Sequence, residues 1–456
     1  MSEKRVSHAT NDMTVGSPAR LIISFSLPLL VGNVFQQLYN MVDSIVVGNY
    51  VGKTALAAVG IGFPIIFLLT SLFIGISMGA TVMIAQYIGA GDRKTVGKTV
   101  NTIYGGVLII IVPLTILGIL LTEPLLRLTH VPPSTFADAR IYTMVILAGL
   151  IGTLGFNVNT GIMEGLGDSK TPLIFLAIAC VINIILDLVF VIVFHWGVFG
   201  VAFATIIAQA ASWIFGIFYI NKKYDFIHIS FFKLRIDKIL LRQLVKLGVP
   251  SGIQQCQFSV AIIMMQSLIN GFGENFTAGF TAANKIDSFA FMPIQSFSTA
   301  ITTYVGQNMG AGRMDRVKKG IHSTLIISTV TCLVITAIVI PLRRPLLMMF
   351  NQDPAVLAAG EAYLLRVLTP MFVLAILFTL NSVLRGAGCA IVPMVSSILA
   401  LWVARVPTAY LLAHFFGPDN LYWSYLIGWS LGLVLATIVY LRGRWKDKCI
   451  VTQLPT

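Results

Sequence analysis

The sequence predicts an all-α polytopic membrane protein: twelve transmembrane helices in two pseudo-symmetric six-helix lobes around a central cavity. Three observations carry that prediction. The first is composition, with 57% of 456 residues hydrophobic, 11% charged and a mean hydropathy of +0.87, far from the soluble range. The second is that apolar runs of about 20 residues, enough to cross a hydrocarbon core of about 30 Å, recur from end to end. The third is an internal repeat. Gln86-Tyr87-Ile88-Gly89-Ala90-Gly91 returns as Gln307-Asn308-Met309-Gly310-Ala311-Gly312, and Pro124-Leu125-Leu126 returns as Pro345-Leu346-Leu347. Gly165-Leu166-Gly167 with Pro172 returns as Gly386-Ala387-Gly388 with Pro393, and all three pairs are 221 residues apart. One glycine match would carry little weight, whereas three at a single offset mark two halves. Halves with an even number of spans run parallel, related by an axis along the membrane normal, and rocking between them gives alternating access.

Taken in order, residues 1–20 are a polar tail, too long before the first apolar run for a cleaved secretory signal, so the run from Leu21 is expected to be retained. The N-lobe, 21–220, holds spans at about 21–47, 56–86, 99–121, 139–163, 172–195 and 199–220. A charged linker follows at 221–242. The C-lobe, 243–441, holds spans at about 243–269, 278–307, 321–341, 359–384, 391–415 and 421–441, and a tail closes the chain at 442–456. Lys4, Arg5, Arg20, Arg93, Lys94, Lys98, Lys170, the Lys222–Arg242 group, Arg313, Arg316, Lys318, Lys319, Arg385 and the Arg442–Lys448 group fall in alternate loops. The positive-inside rule puts those loops and both termini in the cytoplasm of a bacterial-type plasma membrane. The same rule accounts for the net charge of +13 without nucleic acid as a partner. Cys180, Cys256, Cys332, Cys389 and Cys449 are scattered, with neither disulfide nor metal spacing.

Several spans carry polar residues that lipid would not tolerate. Asn33, Gln36, Asn40 and Asp43 follow at intervals of three, four and three, which places them on one narrow helical face. A carboxylate near a helix centre costs roughly 2.5–3.5 kcal/mol on insertion scales, so Asp43 is a functional candidate by default. The fourth span carries Thr153, Asn157, Thr160 and Glu164, the fifth carries Asn183 and Asp187, and the sixth carries Thr205. Two buried carboxylates among amides and hydroxyls suit a proton or Na⁺. In the C-lobe, Lys285, Asp287, Arg366 and Arg405 form a different charge set, read as a network in which Arg405 or Lys285 neutralises Asp287. Gln254, Gln255 and Gln257 read as hydrogen-bond groups of a cavity wall or of helix packing. Tyr39, Met41, Phe63, Phe258, Phe289 and Met292 are candidates for an adaptable apolar pocket. Asp168, beside the glycine turn after the fourth span, reads as a loop or capping residue.

These residues resemble a known family. The two-lobe plan, Pro28 with QQLYNMVDSIVVG, the paired QxxGAG loops, INIILD followed by GVFGVAFAT, and KIDSFAFMP are similar to the multidrug and toxic compound extrusion (MATE) transporters, from about Arg20 to Arg442. The resemblance implies cation-coupled export of amphipathic, often cationic compounds through a V-shaped cavity. It makes Asp43 the first-helix aspartate, Asn183 and Asp187 the fifth-helix pair, Thr205 the sixth-helix threonine, Asn157 the fourth-helix asparagine and Asp287 the acid of the eighth-helix motif. The seventh and tenth spans, with IQQCQFSV and MFVLAILFTLN, lack the carboxylates of the NorM-like branch. That departure favours N-lobe coupling, as in the DinF-like branch.

The expected function is therefore efflux by H⁺ or Na⁺ antiport, without a cofactor, by a monomer acting on small organic molecules. Asp43, Asn183, Asp187, Asn157 and Thr205 are the expected coupling residues, and Na⁺ as the coupling ion would sit at Asp43, Asn183 and Asp187. Gln36, Gln37, Tyr39, Asn40, Gln254, Gln257, Asp287 and Met292 are expected to line the substrate cavity. The rival reading is a flippase of a lipid or lipid-linked oligosaccharide, for which the basic Arg366 and Arg405 speak. A membrane enzyme is disfavoured, because His8, His130, His195, His228, His322 and His414 are scattered without catalytic or metal spacing.

Overall fold

The structure, a computed structural model, describes residues 12–128, 131–231 and 234–451. Lys4, Arg5, Lys233, His8 and His130 lie outside them. Among the described residues every regular element is helical, as lipid requires of a non-barrel chain whose backbone polar groups must be satisfied within each segment. In order these are α1 (Pro18–Val51), α2 (Lys53–Gly89), α3 (Arg93–Leu128), α4 (Pro133–Ala148), α5 (Leu150–Gly165), α6 (Lys170–Val193) and α7 (Gly197–Lys223). The second half contains α8 (Lys238–Asn270), α9 (Glu274–Gly310), α10 (Met314–Met348), α11 (Pro354–Leu368), α12 (Met371–Gly386), α13 (Ile391–Phe416) and α14 (Pro418–Arg442).

Eight of these helices are long and apolar enough to cross a membrane, and the bent pairs α4–α5 and α11–α12 bring the number to ten. The other two, α8 with 33 residues and α9 with 37, have the length but are diluted by polar residues such as Gln254, Gln257, Lys285 and Asp287. Each bent pair coincides with a single expected span. The bends, 51° and 47°, fall at Gly149 and Pro370, which are 221 positions apart. At Gly149 a side chain would run into Ile206; at Pro370 the missing N–H interrupts the helical ladder.

The repeat is visible in the turns. Gly52, Gly91 and Gly167 have φ of +117°, +75° and +86°, and their partners Gly273, Gly312 and Gly388 have +97°, +67° and +98°. This left-handed region favours glycine. At the first turn Ala90 N donates to Gln86 O, Gly91 N to Ile88 O and Asp92 N to Tyr87 O. Ala311, Gly312 and Arg313 repeat the pattern on Gln307, Met309 and Asn308.

Packing divides the chain at other places than the sequence boundaries. One compact unit contains Val31–Gly252, and the other contains Met13–Leu30 with the chain from Ile253 onward. The divisions fall inside α1 and α8. Within the first unit α2 meets the start of α8 glycine to glycine, and a Cβ on Gly79 would lie 2.9 Å from Gly248 N. The described residues after α7 fold back on this unit: Asn221 exchanges hydrogen bonds of 3.0 and 2.7 Å with Ile229, and Arg93 stacks over Phe226 at 5.6 Å. The second unit has an aromatic core of Phe276, Phe280, Tyr363, Tyr422, Tyr425 and Trp429. Described parts of both tails pack on it too. Met13 N donates to Gln307 Oε1 at 2.9 Å, and Trp445 stacks on Tyr440 with ring centroids 5.5 Å apart.

Candidate functional site

In the first unit, i,i+4 spacing stacks Tyr39 below Asp43 on α1 and Asn183 below Asp187 on α6. The packing of these helices with α4 and α7 brings the four side chains together with Tyr142 and Thr205. The Asp43 and Asp187 carboxyls face one another within hydrogen-bond reach. In the amide orientation that satisfies its neighbours, Asn183 donates from Nδ2 to Asp187 Oδ2 at 2.9 Å and accepts from Thr205 N at 3.2 Å. Tyr39 lies within hydrogen-bond reach of the Thr205 hydroxyl, and Tyr142 lies in the field of both carboxylates. Asn183 and Asp187 are each 1% exposed.

Two features set this cluster apart from the other polar contacts between the helices. Asp43 Oδ1 and Asp187 Oδ1 are buried with no hydrogen-bond partner among the described residues, and neither aspartate belongs to any ion pair there. Two carboxylates about 4 Å apart repel by about 4 kcal/mol at an effective dielectric of ~20. A cation held between them, H⁺ or Na⁺, relieves that repulsion with hard oxygen donors. The helices are also irregular here: π-helical turns occupy Val47–Val51, just after Asp43, and Val189–Val193, just after Asp187. Such turns are frequent at functional sites.

Other expected residues sit elsewhere. Asn157 donates from its side-chain Nδ2 to Thr153 O at 2.8 Å, and its backbone carbonyl accepts from Ser77 Oγ at 2.5 Å, which ties α5 to α2. Gln36 and Gln37 are half-buried, and Asn40 is exposed. Asp168 does cap α6, accepting from Lys170 N and Thr171 N at 3.1 and 3.0 Å. It also pairs with Lys223 Nζ at 2.6 Å, which its loop position did not reveal.

In the second unit Tyr363 Oη donates to Asp287 Oδ2 at 3.0 Å. Arg405 lies in the field of Asp287 without a direct ion pair and stacks on Tyr425, 3.5 Å from the ring centroid. Neither of the two expected neutralising partners pairs directly with Asp287, since Lys285 stacks over Phe350 at 5.7 Å and Arg405 on Tyr425. Arg366 donates to Ala362 O at 3.3 Å. Met292 is buried, and Phe289 lines an apolar pocket of about 400 Å³ with Ile286, Ile335, Val339 and Met349. Gln254 donates to Ser397 Oγ and accepts from Arg385 Nη2, both at 2.7 Å. Arg385, expected in a loop, is instead 8% exposed in the last turn of α12. The apolar run ends at the first charge, but the helix continues to Gly386.

The MatE family model matches the chain twice, over residues 28–189 and 250–411. The chain belongs to the MATE family. Its MATE relatives cover it almost completely. It is 28% identical over 447 residues to a probable multidrug resistance protein, YpnP, of Bacillus subtilis (strain 168), covering 97% of this chain and 99% of that one. It is 28% identical over 456 residues to the probable multidrug resistance protein NorM of Thermotoga maritima, covering 95% and 94%. The outward-facing structure of a multidrug resistance MATE family transporter of the MOP superfamily superposes with a TM-score of 0.87 at 24% identity, covering 99% and 100%, and so shares the fold. Within this MATE fold, Tyr142 is the member of the carboxylate cluster that sequence reasoning missed. Its only signal was a tyrosine inside an apolar run, which does not say which way a ring faces.

Proposed function

We propose that the chain is a secondary exporter of amphipathic, often cationic organic compounds. It works as a monomer by alternating access in the plasma membrane of a bacterial-type cell, with both termini cytoplasmic, and is driven by H⁺ or Na⁺ antiport. MATE relatives named as multidrug resistance proteins support the export of drugs. The observation that carries the coupling is the Asp43–Asp187 pair, held by Asn183 and Thr205 and lacking a cationic partner. Cation entry neutralises the pair and lets α1 and α6 approach, the π turns beside each aspartate absorbing the change; cation release restores the repulsion and reverses it. Among the described residues the second unit lacks an equivalent pair, since Asp287 stands as a single carboxylate engaged by Tyr363, so coupling belongs to the first unit, as in the DinF-like branch. The test is ethidium export from proteoliposomes under separately imposed proton and sodium gradients. Gradient-driven export with either ion supports the reading and names the ion; export indifferent to both overturns it.

A further inference from the structure

The second unit contains a buried charge outside the proposed coupling site. Arg385 is 8% exposed, and among the described residues it forms no ion pair. Its Nη2 is oriented by Gln254 Oε1 at 2.7 Å, and Gln254 is itself fixed by Ser397 Oγ at 2.7 Å. Its Nε has no hydrogen-bond partner among the described residues. One turn on from Gln254, Gln257 is 7% exposed with both amide atoms unpartnered; one turn back from Arg385, Asn381 is 5% exposed with Oδ1 unpartnered. A guanidinium stays charged at any physiological pH, and neutral amides hydrogen-bond it without balancing that charge.

The fold does not demand an arginine there. The pseudo-equivalent residue, 221 positions earlier, is Glu164, and the surrounding architecture is the same in both units. Thr81 Oγ1 donates to Gly161 O at 3.0 Å, and Thr302 Oγ1 donates to Ser382 O at 3.3 Å. The next residues, Gly165 and Gly386, abut Thr81 O and Thr302 O, where a Cβ would lie at 2.8 and 2.6 Å. One backbone setting thus accepts opposite charges, and a buried charge kept without a partner marks a ligand site.

We propose that Arg385, with Gln257 beside its Gln254 support, is an oxyanion subsite that engages a carboxylate or phosphate on an amphipathic molecule. The inference rests on the transporter reading and deepens it by assigning the residues that engage the anionic group of a bound molecule. The unpartnered Nε–H of a guanidinium can donate a charge-assisted hydrogen bond to a carboxylate or phosphate oxygen, while Gln254 holds Nη2 in place.

The experiment compares norfloxacin, which carries a carboxylate, with its ethyl ester, by equilibrium binding to the full chain in phosphatidylcholine nanodiscs. Wild type is expected to prefer the acid by about tenfold. Arg385→Gln should abolish that preference and Arg385→Lys should restore part of it. No preference in wild type, or an undiminished one in Arg385→Gln, overturns the proposal, and the wild-type arm does not depend on a variant folding. Nanodiscs containing phosphatidylglycerol separate the two sources of oxyanion. If that lipid removes the wild-type preference, the subsite holds a lipid headgroup; if it does not, the subsite serves the drug. Loss of gradient-driven export with the acid preference intact would count against the transport reading alone.

Discussion

Asp43 and Asp187 are costly in isolation and, under the proposed coupling, useful as a pair. Each has a buried, unpartnered Oδ1, so replacing one carboxylate by an amide removes repulsion and breaks no ion pair. Asp187→Asn is therefore expected to leave stability within about 1 kcal/mol of wild type, read as thermal unfolding of the purified protein. A large loss would show that the carboxylate holds helices together instead of binding an ion. The pair was legible in the sequence because a carboxylate inside an apolar run has few explanations, and because Asn183 and Asp187 share a helical face. Asn157 has the same helical spacing, yet its amide turns back to Thr153. Spacing fixes a face, whereas the rotamer and the neighbouring helix decide what the face meets.

At the scale of elements, turns and close approaches set the geometry. A Cβ at Gly386 would lie 2.6 Å from Thr302 O, and backbone does not yield as a flexible side chain would. Gly386→Ala should destabilise by about 1–3 kcal/mol through overpacking, measured by thermal unfolding; an unchanged midpoint would refute the tight α9–α12 contact. The Asp168 turn makes a second case. Burial alone would raise the Asp168 pKa, but hydrogen bonds from Lys223 and Thr171 outweigh it and hold the carboxyl below the ordinary aspartate value of 3.8. A lowered folded pKa contributes stability that is fully present above about 4 and is lost as the pH falls through the folded value. Asp168→Asn should therefore cost about 2 kcal/mol at neutral pH, between the exposed and buried limits for ion pairs. The difference from wild type should vanish on acidification, and a pH-independent difference would contradict the ion pair. The capping role was readable from Asp168 following a glycine turn. Lys223 was not, because it lies 55 residues away at the end of another helix. The bends at Gly149 and Pro370 were equally hidden, since hydropathy does not register a change of direction inside an apolar run.

For the whole molecule, the offset of 221 residues read in the sequence recurs in the structure as paired left-handed glycines, matched helix ends and paired bends. It did not predict how the halves would differ in charge. The first unit keeps a carboxylate pair, and the second keeps the arginines Arg405, stacked on Tyr425, and Arg385, bonded to Gln254, neither in an ion pair among the described residues. The packing units also divide inside α1 and α8 and not at the charged linker, because close glycine contacts along α2 and α8 outweigh the loop composition that marked the boundary. If the first unit alone couples ion movement to export, the most direct measurement is gradient-driven ethidium efflux from proteoliposomes containing wild type, Asp43→Asn or Asp187→Asn. The account predicts that both variants bind ethidium but lose acceleration by the gradient that drives wild type; undiminished gradient-driven efflux in both variants would contradict it.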